Sequence, residues 1–143
     1  MKINESCIGL VFLLVVMLTG CTPDKEGHEK QTTKKQAIEK QIKNQVDEVV
    51  AAIDSGKKAE DFKKLATEPK YYVYILEESG YFLVHPDLMS STGLALKEQR
   101  RATDEGIWIE YSHYGWKRAY VKKTKGGLIV GSAYYVVELE DAK

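Results

Sequence analysis

The sequence predicts an α+β fold in which a long N-terminal helix packs on a five-stranded antiparallel sheet. Two observations carry that expectation. Apolar residues recur at helical spacing early in the chain, and β-branched and aromatic runs separated by turn residues fill everything after Pro69. Because the helical and strand-like segments are segregated rather than alternating, a parallel sheet built from βαβ units is disfavoured.

The first helix is expected over residues 31–55. Ile38, Ile42, Val46, Val49 and Ile53 recur at intervals of four, four, three and four, a single apolar stripe among lysines, glutamates and glutamines. Twenty-five residues make a rod of about 37 Å, and Ser55-Gly56 supplies its stop, since glycine readily takes the left-handed conformation at a helix end. A shorter helix is expected over 58–66 with Ala59, Phe62 and Leu65 inward, closed by Pro69. Strands follow at 71–76 (YYVYIL) and 81–85 (YFLVH), joined by the turn Glu77-Glu78-Ser79-Gly80 and ended by Pro86. Residues 87–106 form a long connection with a short helix near 94–101. Three more strands are expected at 107–114, 116–122 and 128–140, the last two joined by a turn at 123–127. The simplest arrangement of these five strands is a meander. The apolar face of the helix and one apolar face of the sheet then cover each other.

The chain divides into a leader at 1–20, a tether at 21–30 and one domain at 31–143. Lys2 precedes a short apolar run at 8–18 (IGLVFLLVVML), below the length of about 20 residues that a spanning helix needs. A basic start and a short apolar stretch are the pattern of a cleaved signal peptide. Leu18-Thr19-Gly20-Cys21 resembles the lipobox of bacterial lipoproteins, and that resemblance implies cleavage before Cys21 and lipidation of its thiol. The expected location is the cell envelope, on the extracytoplasmic side of a membrane. A signal anchor with an incidental cysteine is the alternative. Residues 22–30 are polar and charged, a composition that buries too little apolar surface to fold by itself.

Composition narrows the function. Lys+Arg and Asp+Glu are both 21, so no basic surplus points to nucleic acid. With Cys7 in the leader and Cys21 modified, the mature domain has no cysteine for a disulfide. No Cys/His cluster suggests a metal site, and no cofactor is expected. Nucleophile-elbow, zinc-protease and P-loop motifs are missing from the sequence, so a non-enzymatic role is expected.

At the strands the sequence resembles the single Cache (PAS-like) sensor domains of bacterial receptors, in a stand-alone lipoprotein form. The resemblance rests on residues 71–76, Gly80, Leu83-Val84-His85-Pro86 and Gly93, then on the glycine-led strand from Gly106 to Tyr111. It continues through Lys117-Arg118-Ala119-Tyr120-Val121 and Ile129-Val130-Gly131-Ser132-Ala133-Tyr134-Tyr135, covering roughly residues 31–140. Two departures stand out. The connection between Gly93 and Gly106 is short and basic and lacks the family's Asp-x-x-Gly stretch. No transmembrane segment, kinase or methyl-accepting helix follows Glu140, so a sensor kinase, chemoreceptor or transporter partner is implied for signalling.

The resemblance implies a small pocket on the sheet, closed by the long connection and holding a small metabolite such as an organic carboxylate or amino acid. An anion calls for charge-assisted donors. Arg100 or Arg101 is expected to reach the ligand from the roof, with Lys117 and His85 as further donors and Tyr74 and Tyr111 as walls. Strand alternation places Ile107, Ile109, Tyr111 and His113 on one face. Each assignment has an ordinary alternative: His85 ends a strand, Arg100 and Arg101 form a solvated helix surface, Lys117 guards a sheet edge, and the tyrosines are core. A different class of function, an interaction protein that uses the long helix as a homodimer or partner surface, is the alternative for the whole chain.

Overall fold

The computed structural model describes residues 25–87 and 93–139. The leader, the lipobox with Cys21, the first residues of the expected tether, part of the long connection and the end of the last expected strand lie outside them.

Helix α1 spans Lys25–Asp54, so it starts six residues before the expected position and takes in the second half of the tether. Its apolar stripe is buried as the spacing demands: Ile38, Ile42, Val46 and Val49 all lie in the core. The helix ends in a Schellman motif, with the Lys57 amide on the Ala52 carbonyl, the Gly56 amide on that of Ile53, and Gly56 at φ +107°. The next segment, Ala59–Ala66, is a 3-10 helix. Its inward residues Ala59, Phe62 and Leu65 are spaced by three, the period at which a 3-10 helix stacks side chains.

Five strands form one antiparallel sheet: β1 (Val73–Leu76), β2 (Phe82–Val84), β3 (Ile107–Ser112), β4 (Trp116–Lys123) and β5 (Ile129–Tyr135). Their order is β2-β1-β5-β4-β3, which corrects the expected meander. Hairpins β1–β2 and β3–β4, and the β4–β5 turn, are as the turn residues predict, but β5 inserts between β4 and β1 instead of lying at an edge. The physical reason is in its composition. IVGSAYY carries no charge and is buried along all but its last residue, so both its edges and both its faces need partners. The expected last strand also stops early, giving way to a 3-10 turn at Val136–Leu139.

The sheet separates two apolar layers. On one face Val73, Ile75, Val84, Tyr120, Val130 and Tyr134 pack against α1 and the first 3-10 helix. Charges tie the same contact at its rim: Arg118 bridges Glu39 of α1 and Glu110 of β3, and Lys122 pairs with Asp47. On the other face Tyr74, Leu76, Phe82, Ile109, Tyr111, Ala119, Val121, Ile129 and Ala133 meet helix α2 (Gly93–Gln99) and Ala102. The functional candidates gather on this second face.

Candidate ligand-binding site

Lys117 is the centre of the site. It sits on β4 opposite Tyr111 of β3 and Tyr135 of β5, and it retains 6% of its accessible surface. Its Nζ donates to the Tyr72 hydroxyl at 3.2 Å and stands 4.7 Å above the Tyr135 ring centre and 5.7 Å from that of Tyr72. Among the described residues no carboxylate lies within ion-pair distance of it. Burial works against the charge, but the hydroxyls of Tyr72, Tyr111 and Tyr135 more than offset it and hold the ammonium above the usual lysine range. At neutral pH the site therefore contains a buried cation whose neighbours are aromatic faces and phenols. Such rings attract a cation without neutralising it.

Tyr74 and Tyr111 are buried on the same face of the sheet. Tyr74 is fully buried, and burial first, then the proximity of Tyr111, keeps its phenol protonated far above the usual range. Its hydroxyl lies near Tyr111 and Gln99, yet no acceptor or donor is aligned to bond it. A buried hydroxyl left in that state costs about 1–3 kcal/mol, and each such case in a native protein needs an explanation. The ring is accommodated because residue 131, opposite Tyr74 on β5, is glycine; a Cβ there would clash with the Cζ and the hydroxyl oxygen of Tyr74.

His85 closes the side. Its ring stacks on Phe82 at 4.3 Å and meets Tyr72 edge-on at 5.5 Å. The Asp87 amide donates to its Nδ1 at 3.1 Å, so in the neutral ring the proton is on Nε2, which is a donor. Burial chiefly, helped by the Lys117 and His113 charges and opposed by Asp87, lowers its pKa from the ordinary 6.5.

Of the six residues expected in the site, the fold brings together Tyr74, His85, Tyr111 and Lys117. Arg100 and Arg101 are a correction. Both are exposed; Arg100 donates through Nε to the Glu78 carbonyl in the β1–β2 turn, and Arg101 pairs with Glu98 one turn back. They follow the last turn of α2, whose inward side is already set by Ala95, Leu96 and, further on, Ala102. The roof residue on that side is Gln99, buried at 3% exposure and within reach of the Tyr74 and Tyr111 hydroxyls. Gln99, Tyr72 and Tyr135 were not among the expected residues. Two of the three had a signal: Gln99 lies three and four residues after Leu96 and Ala95, and Tyr72 shares the strand face of Tyr74.

No protein-family model and no curated protein matches the chain in sequence. A crystal structure of a methyl-accepting chemotaxis protein from Vibrio parahaemolyticus is similar in fold, with a TM-score of 0.55 at 14% identity, covering 80% of this chain and 99% of that one. The α+β architecture of a long helix on a five-stranded antiparallel sheet is therefore shared.

Proposed function

We propose that this chain is an envelope lipoprotein that binds a small anionic metabolite, an organic carboxylate or amino acid, as a sensory or accessory binding protein. The observation that carries the reading is Lys117: a buried ammonium among tyrosines, with no carboxylate beside it among the described residues. The tyrosines keep the ammonium charged without neutralising it, and a ligand carboxylate supplies a charge-assisted partner of opposite sign. The Tyr74 hydroxyl, Gln99 and the His85 Nε2–H are further polar groups for the rest of such a ligand. Aromatic walls with a few convergent polar groups are the usual make-up of a small-molecule site. The chemotaxis protein that shares the fold supports a sensory role, and binding rather than catalysis is the role proposed. Anchoring through a lipidated Cys21 belongs to the same proposal and rests on the lipobox resemblance.

The alternative in which α1 serves as a partner surface loses its apolar stripe, because Ile38, Ile42, Val46 and Val49 are spent on the sheet. Titration calorimetry with a panel of small carboxylates and amino acids tests the binding proposal. At least one is expected to bind, and Lys117→Met is expected to weaken it tenfold or more, the scale of about 1.5–3 kcal/mol for a hydrogen bond to a charged group. Binding equal in the wild type and Lys117→Met would remove the assignment.

A further inference from the structure

The β3–β4 hairpin ends in exposed aromatics. Tyr114 is 88% exposed and Trp116 63%, and Val137, in the 3-10 turn after β5, is exposed as well. Of the five large apolar or aromatic side chains exposed among the described residues, these three lie at one end of the sheet. Tyr114 is the sole non-glycine among the described residues at positive φ, +54°, followed by Gly115 at +130°. A bulky residue in that region is strained, so the turn holds an aromatic ring outward at a cost in stability.

Ion pairs show which end this is. Glu39 meets Arg118, Asp47 meets Lys122 and the Asp54 carboxylate accepts from the Lys125 amide, so α1 runs alongside β4 in the same direction. The hairpin tip before Trp116 is therefore at the N-terminal end of α1. Gln31 and Lys34 donate to the Leu139 and Glu138 carbonyls there, fastening the turn that carries Val137 to the helix. Gln31 is the tenth residue after Cys21, a span of at most about 36 Å for a fully extended chain.

We infer that the hairpin tip, Tyr114 and Trp116 with Val137 beside them, is a second membrane contact that rests in the headgroup layer and sets the orientation of the domain. This inference uses the proposed anchoring at Cys21 and is independent of carboxylate binding. The occupant follows from where the preceding chain leads: a lipidated cysteine would tether this end, and not the opposite end with Tyr81, close to a bilayer. Tyrosine and tryptophan are the residues that favour that interface, each with an apolar body and a polar tip. Leaning of α1 brings the tip to the surface and places the β1–β2 turn and the end of α2 away from it.

The test uses the mature protein from Cys21 onward carrying its lipid, reconstituted in mixed phosphatidylcholine–phosphatidylglycerol vesicles. Trp108 and Trp116 are its two tryptophans, so Trp108→Phe isolates the hairpin probe. Replacing the lipid by one brominated near the carbonyl is expected to reduce Trp116 emission about twofold, as for a ring at headgroup depth. Unchanged emission would overturn the inference. A change in Trp116 emission that instead follows protein concentration in lipid-free detergent would assign the tip to a second copy of the chain. An intact mass without acyl groups at Cys21 would overturn it through the anchor, and calorimetry with carboxylates would be unaffected by any of these results.

Discussion

At the residue scale the site turns on two buried polar groups, the Lys117 ammonium with no carboxylate beside it among the described residues and the unbonded Tyr74 hydroxyl. Tyr74→Phe removes that hydroxyl and keeps the buried ring. Its expected effect on the ligand-free protein is neutral or stabilising by up to about 1 kcal/mol, read from the urea midpoint, since an orphaned polar group is costly to keep. A loss of several kcal/mol would mean that the hydroxyl has a partner. His85 gives a pH dependence. Its folded-state pKa is depressed below 6.5, so the unfolded chain binds the proton first as the pH falls. Its contribution is complete above pH 6.5 and declines as the pH drops through the folded-state value, and His85→Gln is expected to flatten that part of the stability profile. These four side chains were legible one by one, because a histidine, a lysine and two tyrosines on strands read as candidate donors and walls. The arginines misled because a basic pair in a short helix draws attention to charge. Burial was decided instead by the helical register, which turns Gln99 inward and leaves Arg100 and Arg101 in water.

At the scale of elements, β5 explains both what the sequence revealed and what it concealed. Its existence was clear from IVGSAYY following Gly126-Gly127. Its neighbours were not, because turn residues fix the pairing of consecutive strands and leave the pairing of β5 with β1 to the packing of both faces. The same strand supplies a sharp test of packing. Gly131 has an ordinary backbone conformation, so the cost of Gly131→Ala is steric: its methyl competes with the Tyr74 ring. A loss of about 1–3 kcal/mol is expected, and the penalty should shrink markedly in a Tyr74→Ala background because the two sites are in contact. Additive losses in the double variant would show that Tyr74 does not lie over residue 131. The long helix was legible almost to the residue at its C-terminus, where Gly56 enforces the stop. Its start was not, since a charged, polar segment reads equally as linker or as the solvated first turns of a helix.

At the scale of the whole molecule the sheet has two assignments, one for each face. Helix α1 covers one face with aliphatic side chains and rim ion pairs, giving a rigid backing. The other face carries a second apolar layer under α2, and Tyr74, Tyr111, His85 and Lys117 bring its polar groups together. Both faces belong to one sheet, so unfolding followed by far-ultraviolet circular dichroism and by tyrosine fluorescence should coincide in a single transition. Among the described residues no helix is long and apolar enough to cross a membrane; the proposed bilayer contacts are Cys21 and the hairpin tip. Lys117 is the residue proposed to hold a ligand's negative charge. A crystal structure of the protein with a carboxylate that binds in calorimetry tests that assignment most directly. A carboxylate oxygen is expected about 2.7–2.9 Å from Lys117 Nζ, beside Tyr111. Density for the ligand elsewhere, or Lys117 paired with a carboxylate of its own chain, would contradict it.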